Sequence, residues 1–210
     1  MNLNKLKQAE KAFHEKYPEG FACPEMQAIG KRHKMEQMIA FAQSSFSIQA
    51  FKSPEQILDN LTKLVSRSSM ISLFEKPKFK DFALSLSRPD QENLVNGLQE
   101  FLHGKEQKGF ETMLKVLEFG KMAKWSILTA APSYFEPNNH VFIKPTTAKG
   151  VITYFELPNI TYHSKPSWDF YKNYRTEINA AKKQVSPDLS PSNAAFCGFL
   201  MMSLPTTMII

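Results

Sequence analysis

The chain has 210 residues, 42% hydrophobic and 22% charged, with a formal net charge of +6, so it suits one globular domain and excludes a disordered or fibrous protein. Its eight glycines include no pair spaced Gly-x-Gly, which excludes a dinucleotide fingerprint or a glycine-rich phosphate loop.

Helical spacing dominates residues 1–120. Leu6, Ala9 and Phe13 mark a first helix, closed by the turn signal Tyr17-Pro18-Glu19-Gly20. A longer helical stretch is expected from about Pro24 to Phe46, with Met35, Met38, Ile39 and Ala42 on one stripe. Ser53-Pro54-Glu55-Gln56 reads as a capped start, with Ser53 accepting an amide and Gln56 bonding back. Ile57, Leu58, Leu61, Leu64 and Val65 then follow the period of a core-facing helix. Met70 to Phe74 is mixed apolar and its period does not decide between strand and helix. Ser87-Arg88-Pro89-Asp90 opens another helix, with Leu94, Leu98, Phe101 and Leu102 inward and Gly104 as its stop. Phe110, Met113, Leu114 and Leu117 mark the next, ending at Gly120.

From Lys121 prolines break the chain into short units. Lys124 to Ala131 is expected to be helical, His140 to Ile143 a short strand, and Asn159 to Tyr162 its partner. Ser167 caps a helix reaching about Gln184, and Ser192 to Ser203 forms a last apolar helix. The expected architecture is therefore mainly α: a single domain over 1–210 with a small two-stranded insert in its C-terminal half. It comprises a helical part (1–120), a proline-punctuated part (121–204) and an apolar tail (205–210).

Several chemistries are missing from the text. Cys23 and Cys197 form no zinc spacing, the five histidines make no HExxH, and neither GxSxG nor SxxK occurs. Pro89-Asp90 followed by Glu106-Gln107-Lys108 has the outline of a metal-dependent nuclease site. That site needs both carboxylates on adjacent strands, whereas Asp90 opens a helix and Glu106 lies in a polar linker. No catalytic residue, metal or cofactor is expected, and non-enzymatic function is the favoured reading. The N-terminus lacks the apolar core of a signal peptide, and no apolar run reaches about 18 residues. Cytoplasmic location and no membrane partner are expected.

Two segments stand out. Residues 121–210 hold nine Lys/Arg against five Asp/Glu, and residues 1–120 hold seventeen against fifteen. In the first segment, Lys144-Pro145-Thr146-Thr147 leads into a helix bearing Lys149, and free amides, two hydroxyls and two lysines can cradle an anion. The alternative is that the threonines merely cap. The second runs from Trp168 to Lys183. At about 100° per residue, Phe170, Tyr174, Ile178, Ala181 and Val185 share a buried face. Lys172, Arg175, Asn179, Lys182 and Lys183 share the opposite one with Trp168, and Tyr171 adds a further aromatic beside them. A basic stripe headed by an aromatic suits a phosphate backbone and a stacked base. The alternative is a solvated amphipathic helix. If the segments meet, Lys144, Thr146, Thr147, Lys149, Trp168, Tyr171, Lys172 and Arg175 line one cleft for a nucleic acid or another phosphate-bearing ligand, with His140 and Lys182 beside it.

A second functional class is a protein-interaction module or homo-oligomer built on Phe199-Leu200-Met201-Met202 and Met208-Ile209-Ile210. A third is an enzyme of unassigned type using His140, Lys144 and Arg175.

The strings Lys124-Trp125, Pro137-Asn138-Asn139-His140-Val141-Phe142-Ile143-Lys144-Pro145 and Tyr162…Pro166-Ser167-Trp168…Tyr171 resemble an uncharacterised family of bacterial proteins. That resemblance implies one structural unit over about residues 124–175 and no particular activity. Pro137-Asn138-Asn139-His140-Val141 also looks like the site of helix-hairpin-helix DNA glycosylases. There a carboxylate precedes the His-Val pair, and here Asn138 and Asn139 stand in its place. The likeness implies at most a degenerate, DNA-binding relative.

Overall fold

The computed structural model describes residues 1–208. Eleven α-helices run in the order α1 (Leu3–Lys16), α2 (Pro24–Arg32), α3 (Met35–Ser45), α4 (Pro54–Arg67), α5 (Glu75–Ser85), α6 (Arg88–His103), α7 (Glu106–Phe119), α8 (Trp125–Phe135), α9 (Pro145–Tyr154), α10 (Trp168–Lys182) and α11 (Asn193–Met202). Short 3₁₀ turns link several of them. No helix among the described residues is long and apolar enough to cross a membrane.

Periodicity places the helices well. Ile57, Leu58, Leu61, Leu64 and Val65 are the buried residues of α4. Ser87, Ser167 and Ser192 cap α6, α10 and α11, each side-chain oxygen accepting the amide three residues on. At α4, Ser53 occupies the cap position without a side-chain bond, and Gln56 donates to Asn60 instead.

The expected helix from Pro24 to Phe46 is two helices. Lys34 adopts the left-handed conformation (φ 52°), which no α-helix continues through, and the chain turns there between α2 and α3.

The two-stranded insert is absent: among the described residues there is no strand. His140 to Ile143 is non-helical, but its polar backbone groups are taken by side chains of helices and leave no ladder to build. Thr129 Oγ1 accepts the Ile143 amide at 3.0 Å, and Asn193 Nδ2 donates to the His140 carbonyl at 3.1 Å. Val141 and Ile143 are fully buried between helices, so a short apolar run imitates a strand. Asn159 has a left-handed φ of 55°, which opens the supposed partner as a turn.

At the centre lies α8, buried from Trp125 to Tyr134 on every side. It continues through Pro132, whose missing amide would otherwise bond into the preceding turn. Helices α3, α4, α6 and α7 surround it. The tightest pair is α6–α7, where a methyl group on Gly109 would lie against the Phe101 backbone and 2.6 Å from the Gly97 carbonyl oxygen. Gly109→Ala must push two backbones apart, and it is expected to lower stability by about 3 kcal/mol in urea unfolding.

The chain closes on itself. The Met1 ammonium pairs with Glu177 at 3.1 Å, and the Asn2 amide donates to the Phe155 carbonyl at 2.7 Å. Phe13 of α1 packs edge-on against Phe199 of α11 at 5.3 Å, and His14 pairs with Asp188 at 2.7 Å. Phe199 and Leu200, two of the apolar residues that suggested a docking surface, are fully buried core, while Met202 is 38% exposed. Ile209 and Ile210 of that tail lie outside the described residues.

Candidate ligand-binding surface

The polar side of α10 is stitched to its neighbours rather than left to solvent. Both guanidinium nitrogens Nη1 and Nη2 of Arg175 donate to the Glu106 carboxylate, at 3.1 and 2.6 Å. The guanidinium stands over the rings of Trp168 and Tyr171, with centroids at 5.9 and 5.4 Å. Asn179 donates to the Asn139 carbonyl at 2.9 Å. Lys182 donates to the side chains of Asn138 and Asn193 at 3.0 and 2.9 Å. The middle of the expected stripe on α10 is therefore engaged. Only its two ends, Lys172 and Lys183, are exposed and make no ion pair among the described residues.

Beneath Arg175 lies His140, 1% exposed. Its Nδ1 is 2.8 Å from the Tyr171 hydroxyl and 3.1 Å from Arg175 Nη1. Arg175 can only donate, so Nδ1 is the acceptor and the ring proton is assigned to Nε2. Burial pulls the His140 pKa down to about 4, and the adjacent Arg175 charge pulls the same way. Burial drives the fully buried Tyr171 hydroxyl upward. The ring of Phe101 meets the rings of His140, Tyr171 and Trp168 edge-on. His140, Tyr171, Arg175 and Glu106 therefore make a bracket joining α7, the 136–140 loop and α10, in which the Arg175 charge is already met by a carboxylate.

The start of α9 is different. Lys144, Pro145, Thr146 and Lys149 are exposed and Thr147 is half-buried. Lys144 is the cap residue, no side chain caps the helix, and no acidic residue lies in its first turn. The threonines sit inside that turn, so their hydroxyls are not used as caps. Ala148, Gly150 and Val151 anchor the inner side, with Gly150 against Leu204. Lys149 Nζ lies 5.1 Å over the Tyr162 ring, which meets Phe170 edge-on at 5.8 Å.

Phe170 and Arg175 are five residues apart on α10, about 140° round the helix. The aromatic that carries Lys149 touches one flank of α10, and the Arg175 bracket rises from the other. Trp168, Tyr171, Arg175, His140 and Lys182 form one connected group; Lys144, Thr146, Thr147 and Lys149 form a second, and no hydrogen bond or ion pair joins them.

Glu136 and Asn193 escaped sequence reasoning. Glu136 accepts from Asn139 at 2.9 Å, and Asn193 is 1% exposed between Lys182 and Asn179. A lone asparagine at the head of an otherwise apolar helix was the one available signal. The glycosylase-like positions Asn138 and Asn139 are exposed, and their side chains serve Lys182 and Glu136. A cleft of about 600 Å³ opens on α6–α7 beside Asn96, Glu100, His103 and Lys108, and none of the sequence-predicted site residues lines it. Among the described residues no group of three His, Cys, Asp or Glu side chains could hold a metal ion.

Compared with known protein families, with curated proteins and with solved structures, the chain matches none.

Proposed function

We propose that this chain is a non-enzymatic binding protein for a phosphate-bearing polyanion, a nucleic acid, and that the start of α9 makes the contact. The observation that carries the reading is the exposed set Lys144, Thr146 and Lys149 around a helix start with no acidic residue in its first turn. Helix amides and their dipole favour an anion there. The two lysines add unpaired positive charge, and Tyr162 offers a ring beside Lys149. Lys172 supplies a further exposed cation on α10. Arg175, Tyr171, His140, Trp168 and Lys182 hold α10 and the 136–140 loop in place behind this surface.

The test is fluorescence anisotropy with a labelled oligonucleotide over a salt series. Binding is expected to weaken steeply with salt, since each neutralised phosphate adds roughly 0.7–0.9 to the log–log slope. Lys144→Glu with Lys149→Glu is expected to lower affinity at least ten-fold and to flatten that slope by about 2. No binding to DNA or RNA at low salt, or a double variant indistinguishable from the parent, overturns the reading.

A further inference from the structure

Among the described residues, the four most exposed large apolar side chains stand at the two ends of α5 and at the end of α7 packed on it, a corner of the molecule. Leu73 and Phe74 precede α5 and are 78% and 81% exposed; Leu84, near its end, is 75% exposed; Phe119, closing α7, is 83% exposed. Contacts hold these ends together. Gly120 packs against the Phe82 ring of α5, so the last residues of α7 lie on that helix. At the other end Ser126 of α8 donates to Glu75 at 2.9 Å. The link Lys121–Lys124 therefore runs from one end of α5 to the other, tied by the Met122 amide to the Leu117 carbonyl at 2.8 Å.

The corner is also cationic. Residues 73–84 and 118–124, with Lys165, carry six lysines (Lys76, Lys78, Lys80, Lys121, Lys124, Lys165) against three carboxylates (Glu75, Asp81, Glu118). Two of those carboxylates are occupied, Glu75 by Ser126 and Glu118 by Lys165 at 3.0 Å.

This corner continues into the surface proposed above. Lys149 lies over Tyr162, the next carbonyl, of His163, accepts from Trp125 Nε1 at 2.8 Å, and Lys165 two residues on reaches Glu118 beside Phe119. A single rim thus passes from the start of α9 to the ends of α7 and α5. It carries lysines and aromatic rings, the half-buried Tyr162 and the exposed Phe119 and Phe74.

We infer that this rim takes a single-stranded nucleic acid, its phosphates on the lysines and bases stacked on Phe119 and Phe74. The inference rests on the proposed polyanion binding and names its form. A duplex keeps its bases stacked on one another and has no face to offer these rings, whereas every base of a single strand has one. An apolar protein partner would not call for this excess of lysines around the exposed rings.

The experiment compares a labelled oligothymidylate of roughly 16 nucleotides with a duplex of matched length, using the full chain. The parent is expected to bind the single strand more tightly. Phe74→Ala with Phe119→Ala is expected to weaken single-strand binding about ten-fold or more and to leave duplex binding unchanged. Both rings are solvated, so this variant keeps the fold, which its far-ultraviolet spectrum and thermal midpoint verify. Phe119→Trp in the Phe74→Ala background is expected to recover affinity, and Phe119→Leu in the same background is not. Single-strand binding that survives both alanine substitutions, or equal affinity of the Phe119→Leu and Phe119→Trp variants, overturns the stacking inference and leaves the corner to another occupant. A parent that binds neither oligonucleotide, nor a single-stranded RNA of the same length at low salt, overturns the polyanion reading itself.

Discussion

Acidified from pH 7 to pH 4, the protein is expected to lose about 3 kcal/mol of stability through His140 alone. The folded pKa of about 4 lies below the ordinary 6.5, so between those values the unfolded chain binds the proton more readily than the folded one. The contribution is complete above pH 6.5 and is lost as pH falls through 6.5 towards 4. Burial is the main cause, and the Arg175 charge adds to it; Glu106 and Glu136 oppose both without reversing the shift. His140→Gln keeps an acceptor for Tyr171 and Arg175 but does not titrate. Urea unfolding of parent and variant across pH 4–7 isolates the term, because carboxylates titrate in both. The difference between the two proteins should shrink on acidification; a constant difference excludes His140 as its source.

Removal of Glu106 is expected to cost more than removal of its partner. Arg175 is 14% exposed and its charge is met by one carboxylate, so Glu106→Ala leaves a guanidinium half-sealed beside a neutral imidazole and two rings. A loss of about 3 kcal/mol is expected. Glu106 is 33% exposed and can rehydrate when Arg175→Met removes the cation, so that loss should be nearer about 1–2 kcal/mol. The double variant should be less destabilised than the sum of the two. Arg175→Met also removes the positive charge facing His140, so the His140 pKa is expected to rise toward its ordinary value and the stability lost through it on acidification to be smaller. Equal costs for the two single variants would show that the pair is solvated on both sides.

Helices were legible in the sequence wherever a stripe was continuous, as in α4 and α6, because burial on one side imposes its period on the residues. Breaks were less legible. Lys34 is neither glycine nor asparagine, and its left-handed conformation follows from the packing of α2 and α3 rather than from its own preference. His140 to Ile143 misled for the converse reason: its backbone partners are Thr129 and Asn193, which no local pattern ties to it. The bracket was legible only in pieces. His140, Tyr171 and Arg175 were each singled out, but Glu106 lies 69 residues from Arg175, and its local text suggested a nuclease motif instead. Tyr171 sits at the edge between the buried and cationic sides of α10, where spacing does not decide exposure. The exposed α9 start lies in a segment already marked by its lysines and threonines, though its uncapped amides became visible only in three dimensions.

The seam between α1 and the last helices bears on how the chain is made. On a ribosome α1 emerges well before the surfaces that receive Phe13, His14 and the Asn2 amide, which belong to residues 155–199. Helix α1 therefore waits, its apolar stripe of Leu6, Ala9 and Phe13 uncovered, until residues 155–199 have been synthesised. Closure of so long a loop makes docking of α1 a late event in maturation. A nascent chain halted before α11 would keep that stripe open to chaperones.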